Sequence, residues 1–356
     1  MNAKVSWRTY VLLGVILGLL SIPGFSEGQD VVTVEDSLGR TVDVPVNIER
    51  IVGLEAGTLR MIVYLEATEM VAGVENIEKR DKKRPYRLAH PELKDLPSIG
   101  PMHGGDPELI VSVQPEVIFS TYTTRGKAND LQNKTGIPVV GLNYGDARSM
   151  TRADFYSSLR LMGKVLDKEK RAEEVIEFVE SEIAGFREKT EGLEESGPSV
   201  YVGGIGYRGA HGITSTEPSY PPFSFLGVNN VADNLGLDHA MINEEKLVQW
   251  DPDYLFIDEA GLSLARKDLK EPQFRGLTAP DSERVFGLLP YNYYTTNFGT
   301  VLADTYYIGK LIYPGEFGEI DPGEEADRIY EFLVGEKVYS RMENIFGGFG
   351  RIEVDN

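Results

Sequence analysis

The longest amphipathic pattern in the chain runs from residue 151 to about residue 190. Its apolar residues recur mostly three or four positions apart, which places them on one face of a helix. They are Phe155, Leu159, Met162, Leu166, Ala172, Val175, Val179, Ile183 and Phe186. The charged run 167–171 interrupts this stripe, and Asp167 is a good N-cap. The pattern therefore predicts two helices, over 152–165 and 168–190, and the second would span roughly 34 Å.

Short apolar runs alternate with short helical patterns on both sides of this stretch. The first half opens with a predicted hairpin over 31–44. Further strands are expected at 50–54, 70–74, 98–100, 116–120, 137–142, 199–203, 254–257 and 285–288. Helices are expected near the end, over 300–312 and 325–334. Strands that alternate with helices indicate parallel sheets.

The predicted fold class is α/β, with two Rossmann-like lobes of largely parallel sheet and a ligand cleft between them. We expect an N-terminal lobe over 30–166, one long bridging helix over 167–191 and a C-terminal lobe over 198–356. The very polar stretch 76–87 is expected to be a solvated loop. A helix that crosses the back of both lobes would act as a stiff spine and limit their closure.

The N-terminus has the pattern of an export signal. Lys4 and Arg8 precede the apolar run 10–20, which is too short to span a bilayer. Gly24 and Ser26 are small residues at the −3 and −1 positions of a cleavage site before Glu27. We expect a signal peptide over 1–26 and an exported protein in the periplasm or on the outer face of the cell membrane. An uncleaved membrane anchor is the alternative.

Composition narrows the possible chemistry. The 356 residues carry a formal net charge of −20, which argues against a nucleic-acid partner because such binding needs a basic face. There is no cysteine. Disulfides, thiolate metal sites and cysteine nucleophiles are therefore ruled out.

Candidate ligand-binding residues follow the predicted strands. Open parallel sheets bind ligands at the carboxyl ends of their strands. The side chains expected there are Glu55, Thr58, His103, Tyr122, Arg125, Tyr144, Tyr207, Arg208, His211, Tyr291, Tyr293 and Tyr294. Tyrosine rings can pack on a flat ligand, and phenol oxygens suit a hard cation or an oxyanion. Arginine can hold a carboxylate or an oxyanion.

Enzyme signatures are weak. Residues 204–209 match GxGxxG after a strand, but the next residues contain proline and β-branched residues, so no helix is expected to follow. We interpret this segment as a loop whose backbone approaches a ligand. A hydrolase that uses His103, His211 and Asp258 around a metal, or a dinucleotide-dependent enzyme, is the less favoured alternative. We expect no catalytic residue and no catalytic cofactor.

Several short segments resemble one family in their order and spacing. They are Asp-Ser-Leu-Gly-Arg at 36–40, Glu-Arg-Ile-Val at 49–52, Leu-Pro-Ser-Ile-Gly at 96–100, Pro-Glu-Leu-Ile at 107–110, Pro-Glu-Val-Ile at 115–118, Asn-Asn-Val-Ala at 229–232 and Trp-Asp-Pro-Asp at 250–253. The chain resembles the substrate-binding proteins of ABC importers for iron–siderophore, haem and cobalamin uptake. The resemblance implies a monomer that binds a small molecule or metal chelate and delivers it to a transmembrane permease with a cytoplasmic ATPase.

The resemblance also suggests ligands and docking residues. His211, Tyr293 and Tyr294 would suit iron(III) or a ferric complex. Molybdate or tungstate, held by Arg208, His211, Ser215 and Thr216, and cobalamin or haem are the alternatives. Glu108 matches the family's acidic permease-docking position in the first lobe. The matching place in the second lobe falls at 221–222, where prolines break the pattern, and Glu217 is the nearest acidic candidate.

Overall fold

The computed structural model describes residues 30–80, 83–145, 152–193, 197–236 and 239–354. The predicted signal peptide over 1–26 lies outside these ranges. Within them, no helix is both long enough and apolar enough to cross a membrane.

The first half is built on a four-stranded parallel sheet with the strand order β4-β3-β5-β6. A separate antiparallel hairpin of β1 and β2 precedes it. The strands are β1 (Val31–Glu35), β2 (Thr41–Pro45), β3 (Ile51–Leu54), β4 (Val71–Gly73), β5 (Val117–Ser120) and β6 (Val139–Gly141). The helices are α1 (Thr58–Tyr64), α2 (Asn76–Arg80), α3 (Pro85–Ala89), α4 (Pro107–Ser112) and α5 (Arg125–Thr135). All residues of β3 and β5 are buried, which is typical of parallel strands covered on both faces.

Two helices connect the halves, α6 (Arg152–Leu166) and α7 (Glu169–Thr190). Their apolar stripe is buried along its whole length. Asp167 is not the N-cap. It turns the chain between the helices with a φ of 56°, and Lys168 occupies the N-cap position of α7. Arg171 of α7 donates hydrogen bonds to the Tyr64 carbonyl of the first half and to the Phe332 carbonyl of the second.

The second half is built on a five-stranded sheet with the order β13-β12-β11-β7-β9, in which β13 alone is antiparallel. Its strands are β7 (Ser199–Gly203), β9 (Asn229–Asn230), β11 (Tyr254–Asp258), β12 (Val285–Leu288) and β13 (Gly350–Arg351), and β8 (Ser215–Thr216) and β10 (Ala240–Met241) form a separate antiparallel pair. The helices are α8 (Pro221–Leu226), α9 (Glu244–Trp250), α10 (Leu262–Asp268), α11 (Thr278–Asp281), α12 (Phe298–Ile312), α13 (Pro314–Phe317), α14 (Pro322–Val334) and α15 (Tyr339–Phe346). The predicted α/β fold class is confirmed. Several elements were not predicted, among them α5, α8, α10, α15 and β13.

One hydrophobic core runs through both halves. It contains Phe119 of β5, Val179 of α7 and Leu333 of α14. Phe155 of α6 stacks on Phe298 of α12 with ring centroids 4.1 Å apart. Val31–Asn356 accordingly forms one compact unit. Because a close-packed core resists opening, we expect little hinge motion between the halves. The boundaries predicted at 166–167 and 191–198 stay predictions.

The expectation of a solvated loop over 76–87 is wrong. Much of this stretch forms α2 and the start of α3, and the side chains of Glu78, Arg84, Tyr86 and Arg87 are buried. Arg84 donates two hydrogen bonds to Glu78, at 3.1 and 3.0 Å, and Tyr86 donates a third at 2.9 Å. Polar residues enter the interior here because opposite charges compensate one another.

Candidate ligand-binding site

An open cavity of about 880 Å³ is bounded by residues of both halves. Most of its lining comes from the loops that follow β3, β5, β7, β11 and β12, at the carboxyl ends of parallel strands. The predicted residues that line it are Glu55, His103, Tyr122, Tyr207, Arg208, Tyr293 and Tyr294. Gly206 and Gly209 also line it, and they belong to the segment 204–209 that was interpreted as approaching a ligand. The lining residues that were not predicted are Ala56, Lys83, Ala210, Glu259, Ala260, Asn292, Thr295, Ile345 and Phe346.

Backbone strain is concentrated at this cavity. Twelve described residues other than glycine have a positive φ, and six of them line the cavity. These six are Glu55, His103, Tyr122, Arg208, Tyr294 and Thr295. Such conformations cost about 1–3 kcal/mol each and persist only where the surroundings fix them. Their concentration is typical of a functional site.

Glu75 organises the wall that the first half contributes. Its buried carboxylate accepts hydrogen bonds from the Tyr294 hydroxyl at 2.8 Å, from the Gly104 amide at 3.0 Å and from the Glu55 amide at 3.1 Å. Burial raises the pKa of Glu75, although these three donors oppose the shift. Glu55 in turn lies 2.8 Å from Nδ1 of His103. The Glu75 carboxylate thus connects the three loops that carry Glu55, Gly104 and Tyr294.

The three predicted iron ligands do not all line the cavity. The Tyr294 hydroxyl is held by Glu75, and burial together with this carboxylate raises the pKa of Tyr294, which disfavours a phenolate. His211 does not line the cavity, and its Nε2–H donates to the Tyr207 carbonyl at 2.7 Å. Tyr293 does line it. Among the described residues, no group of three His, Asp or Glu side chains could hold a metal ion, which also removes the proposed hydrolase metal site at His103, His211 and Asp258.

Positive charge surrounds part of the cavity. Lys83 and Arg208 line it directly, and both are exposed. Arg84 lies behind the aromatic wall, with its guanidinium 5.8 Å from the Tyr293 ring centroid and 5.3 Å from that of Tyr294. Lys83 was missed because its stretch was interpreted as a solvated loop. Because Glu78 balances the charge of Arg84, the two exposed cations Lys83 and Arg208 are the ones that favour an anionic ligand.

Glu259 of the second half also lines the cavity, and it follows the buried Asp258 at the end of β11. Its carboxylate accepts a hydrogen bond from the Gly348 amide at 2.9 Å, and burial raises its pKa to about 7. Burial raises the pKa of the neighbouring Asp258 to about 8. Glu259 is therefore partly protonated near neutral pH, which reduces its repulsion of an anion.

Four predicted ligand-binding residues lie away from the cavity. The Thr58 hydroxyl is buried and donates to the Leu54 carbonyl. The Tyr144 hydroxyl is buried and donates to the Thr296 carbonyl at 2.8 Å. Tyr291 is fully buried and donates to Glu217. Arg125 is exposed at the start of α5 and donates to the Gly39 carbonyl. The structure therefore places these four side chains, like that of His211, outside the cavity lining, because packing turns each of them elsewhere.

The two residues predicted to dock the permease differ in their exposure. Glu108 is exposed in the first turn of α4, and its contact with a permease stays a prediction. Glu217 is 1% exposed, so its carboxylate is not accessible to a partner in this structure.

The GxGxxG segment lines the cavity through its loop. Gly206, Tyr207, Arg208 and Gly209 contribute to the lining, and the chain then continues to β8 without a helix. The Tyr207 ring stacks on His239 with centroids 4.4 Å apart. A dinucleotide site would need a helix N-terminus at this point, so the loop interpretation fits the structure.

Comparison with known proteins agrees with this geometry. A family model described as periplasmic binding protein matches residues 51–291. The molybdate-binding protein MolA of Haemophilus influenzae is 23% identical over 342 residues, which cover 89% of this chain and 94% of MolA. The structure of MolA bound to molybdate is similar with a TM-score of 0.68 at 17% identity, covering 86% of this chain and 98% of MolA.

Two further structures share the fold. A periplasmic solute binding protein from Veillonella parvula has a TM-score of 0.71 at 19% identity and covers 89% of this chain and 97% of its own. The petrobactin-binding protein YclQ of Bacillus subtilis has a TM-score of 0.56 at 16% identity and covers 86% and 99%. The matched range 51–291 is more than half of the chain and includes loops from both sides of the cavity. The predicted resemblance is thereby confirmed, and the chain belongs to the periplasmic binding protein family, whose members serve ABC transporters.

Proposed function

We propose that this protein captures an anionic iron(III) chelate of the siderophore type in the cavity and delivers it to the permease of an ABC importer with its cytoplasmic ATPase. The observation that carries the ligand class is the lining: tyrosine rings together with Lys83 and Arg208. The protein acts as an exported monomer and performs no catalysis.

The size of the cavity supports a chelate. Pockets of about 300–1,000 Å³ enclose ligands the size of a drug molecule, and this one measures about 880 Å³. A single tetrahedral oxyanion would leave most of that volume to water. A chelate of several hundred Å³ would contact both walls, including Tyr122 on one side and Tyr207 on the other.

The local charge supports an anion. The chain as a whole carries −20, yet two cations, Lys83 and Arg208, line the cavity. Because Tyr294 keeps its proton and His211 lies elsewhere, the iron would arrive fully coordinated by its chelator. The protein then recognises the outer surface of the complex through rings and cations.

Molybdate is the second candidate, because MolA is similar along nearly the whole chain. Of the four residues expected from the sequence to hold an oxyanion, Arg208 alone lines the cavity. Ser215 and Thr216 are fully buried, and the Ser215 hydroxyl donates to the Ile205 carbonyl at 2.7 Å. An oxyanion would have to use Arg208 and Lys83.

Titration calorimetry with ferric catecholate, hydroxamate and citrate complexes, molybdate and tungstate tests both candidates. We expect at least one ferric chelate to bind and the oxyanions to bind more weakly. Lys83→Glu and Arg208→Glu should each weaken chelate binding by about tenfold or more, since each places an anion beside an anion. Lys267→Glu, an exposed charge change on α10, is the matched control.

Other outcomes assign the protein differently. Binding of molybdate without any chelate would favour the second candidate. Failure to bind any member of the panel, with turnover of a substrate, would instead indicate the enzyme alternative. Mass spectrometry of the secreted protein would show whether cleavage occurs before Glu27 and whether the protein is a monomer.

A further inference from the structure

We infer that Arg60 is a positioning residue that, with Glu75, sets the shape of the ligand cavity by holding residues 293–296 from the opposite half of the molecule. We call residues 293–296 the cleft segment. The effect on ligand affinity rests on the proposed function, whereas the effect on the cleft segment does not.

Arg60 reaches the cleft segment from α1. The side chain is 1% exposed and lies in the first half, while the cleft segment follows β12 in the second. Nη1 donates to the Thr296 carbonyl at 2.6 Å, and Nη2 donates to the carbonyls of Tyr293, Tyr294 and Thr295 at 3.2, 3.1 and 3.3 Å. One guanidinium thus binds four consecutive carbonyl oxygens across the boundary between the halves.

Such a cation compensates an unfavourable backbone. Tyr294 and Thr295 have φ values of 54° and 63°, and the left-handed region is especially unfavourable for a β-branched residue such as Thr295. Four carbonyl dipoles directed at one point also repel one another. The guanidinium stabilises both the conformation and the converging dipoles, because its rigid fork carries several donors and a full positive charge.

Glu75 provides a second attachment from the first half. It accepts the Tyr294 hydroxyl and also the amides of Glu55 and Gly104, so it fixes the cleft segment relative to two other cavity loops. The cleft segment also packs closely against the start of α1. A Cβ added at Gly57, beside α1, would lie 2.7 Å from the Thr295 methyl group.

Neither Arg60 nor Glu75 lines the cavity, so they act through the residues that do. Tyr293, Tyr294 and Thr295 all contribute to the lining. Loss of Arg60 would remove one donor from each of four carbonyls. The Tyr144 hydroxyl would still donate to Thr296, and the Asn297 side-chain amide to Tyr293 and Thr295. The cleft segment would be held less firmly and could adopt other conformations. The ligand would then have to order the segment on binding, which weakens affinity without removing a direct contact.

Arg60→Met and Arg171→Met form a matched pair. Arg171 also joins the two halves through backbone carbonyls, those of Tyr64 and Phe332, but neither carbonyl belongs to the cleft segment. Both changes should lower the melting temperature. Arg60→Met alone should speed amide hydrogen exchange in residues 293–297 by about tenfold or more. It alone should also weaken chelate binding by about tenfold, chiefly through faster dissociation.

Conservative variants keep the test informative if Arg60→Met does not fold. Arg60→Lys retains the charge but not the fork, so exchange and affinity should fall between those of the wild type and Arg60→Met. Glu75→Gln should produce the same changes to a smaller extent. Wild-type exchange and affinity in all three variants would overturn the inference. If the wild type binds none of the chelates or oxyanions, the proposed function fails, and hydrogen exchange alone decides the role of Arg60.

Discussion

Two buried groups of charged side chains lie on the two sides of the cavity, and they are stabilised in different ways. The arginine cluster of the first half consists of Glu78, Arg84, Tyr86 and Arg87. The acid cluster of the second half consists of Glu217, Tyr220, Asp258, Tyr291 and Asp304. All nine side chains are nearly inaccessible to water.

The arginine cluster is held by opposite charges. Arg84 makes a two-pronged contact with Glu78, and Nε of Arg87 lies 3.3 Å from the same carboxylate. The Arg84 guanidinium also lies 5.2 Å from the centroid of the Tyr86 ring. Such a cluster is stable only while all of its charged members are present, because a lone buried charge is very unfavourable.

The acid cluster is held by protons. Tyr220 donates to Asp304 at 3.4 Å, and Tyr291 donates to Glu217. Burial, and secondarily the nearby Asp258 carboxyl, raises the pKa of Asp304 well above its usual value. The comparison shows that one molecule buries carboxyl groups either by pairing them with guanidinium or by keeping them neutral. Only the second solution depends on pH near neutrality.

The largest expected effect comes from breaking the arginine cluster. Glu78→Gln would leave Arg84 and Arg87 buried without their anion, and should lower the free energy of unfolding by about 3–5 kcal/mol. Urea denaturation followed by circular dichroism measures this. Glu173→Gln is the control, because Glu173 makes a comparable contact with Arg160 at 2.7 Å on the exposed surface and should matter much less. Equal losses for both variants would contradict the comparison.

Asp258 of the acid cluster and the adjacent Glu259 predict that stability depends on pH, because burial raises the pKa of each carboxyl group. Between about pH 4 and pH 7–8 the folded protein keeps protons on Asp258 and Glu259 that the unfolded chain has released. The folded state therefore binds more protons, and the free energy of unfolding should fall as pH rises through this window. The slope should be about 1.4 kcal/mol per pH unit for each proton that the folded protein retains.

Asp258→Asn sharpens this test. Asparagine is neutral at every pH and can still accept the Ala260 amide hydrogen bond, which is 2.9 Å long in the wild type. The variant should unfold with a smaller pH dependence. Asp130→Asn on the exposed face of α5 should retain the wild-type slope. A slope that is unchanged by Asp258→Asn would show that this carboxyl is ionised in the folded protein.

The smallest expected effects are at the cavity wall, next to the arginine cluster. Tyr294→Phe keeps the ring beside Arg84 but removes the donor to Glu75, so stability should fall by about 1–2 kcal/mol.

His211→Ala should leave chelate affinity unchanged, because His211 lies outside the cavity. The bound ferric chelate should keep its own absorption spectrum. A new tyrosinate-to-iron band that disappears in Tyr294→Phe would instead show direct coordination.

Local sequence patterns predicted much of the fold. The stripe over 151–190 predicted α6 and α7 to within one or two residues at each end, because helical periodicity is visible in the sequence itself. The strands β3, β5, β7, β11 and β12 were also expected, and with them the loops at their carboxyl ends. Seven predicted residues therefore line the cavity. Whether they contact a ligand stays a prediction.

The remaining assignments depended on contacts between distant segments. Tyr144 and Tyr291 follow strands as expected, yet both turn into the interior, where their hydroxyls find partners far along the chain. No local pattern distinguishes them from Tyr122 or Tyr293. The burial of residues 76–87 was likewise hidden, since a polar composition gives no sign of mutual charge compensation.

The sequence by itself therefore determined the α/β class, the long helix and the set of loops that could form a site. Periodicity, strand propensity and glycine turns are properties of neighbouring residues, so they can be recognised without the fold. The tertiary structure decided which side chains face the cavity and which charges are buried. Those choices depend on pairs such as Arg60 with the carbonyls of residues 293–296, more than 230 positions apart. Only folding brings them within hydrogen-bonding distance.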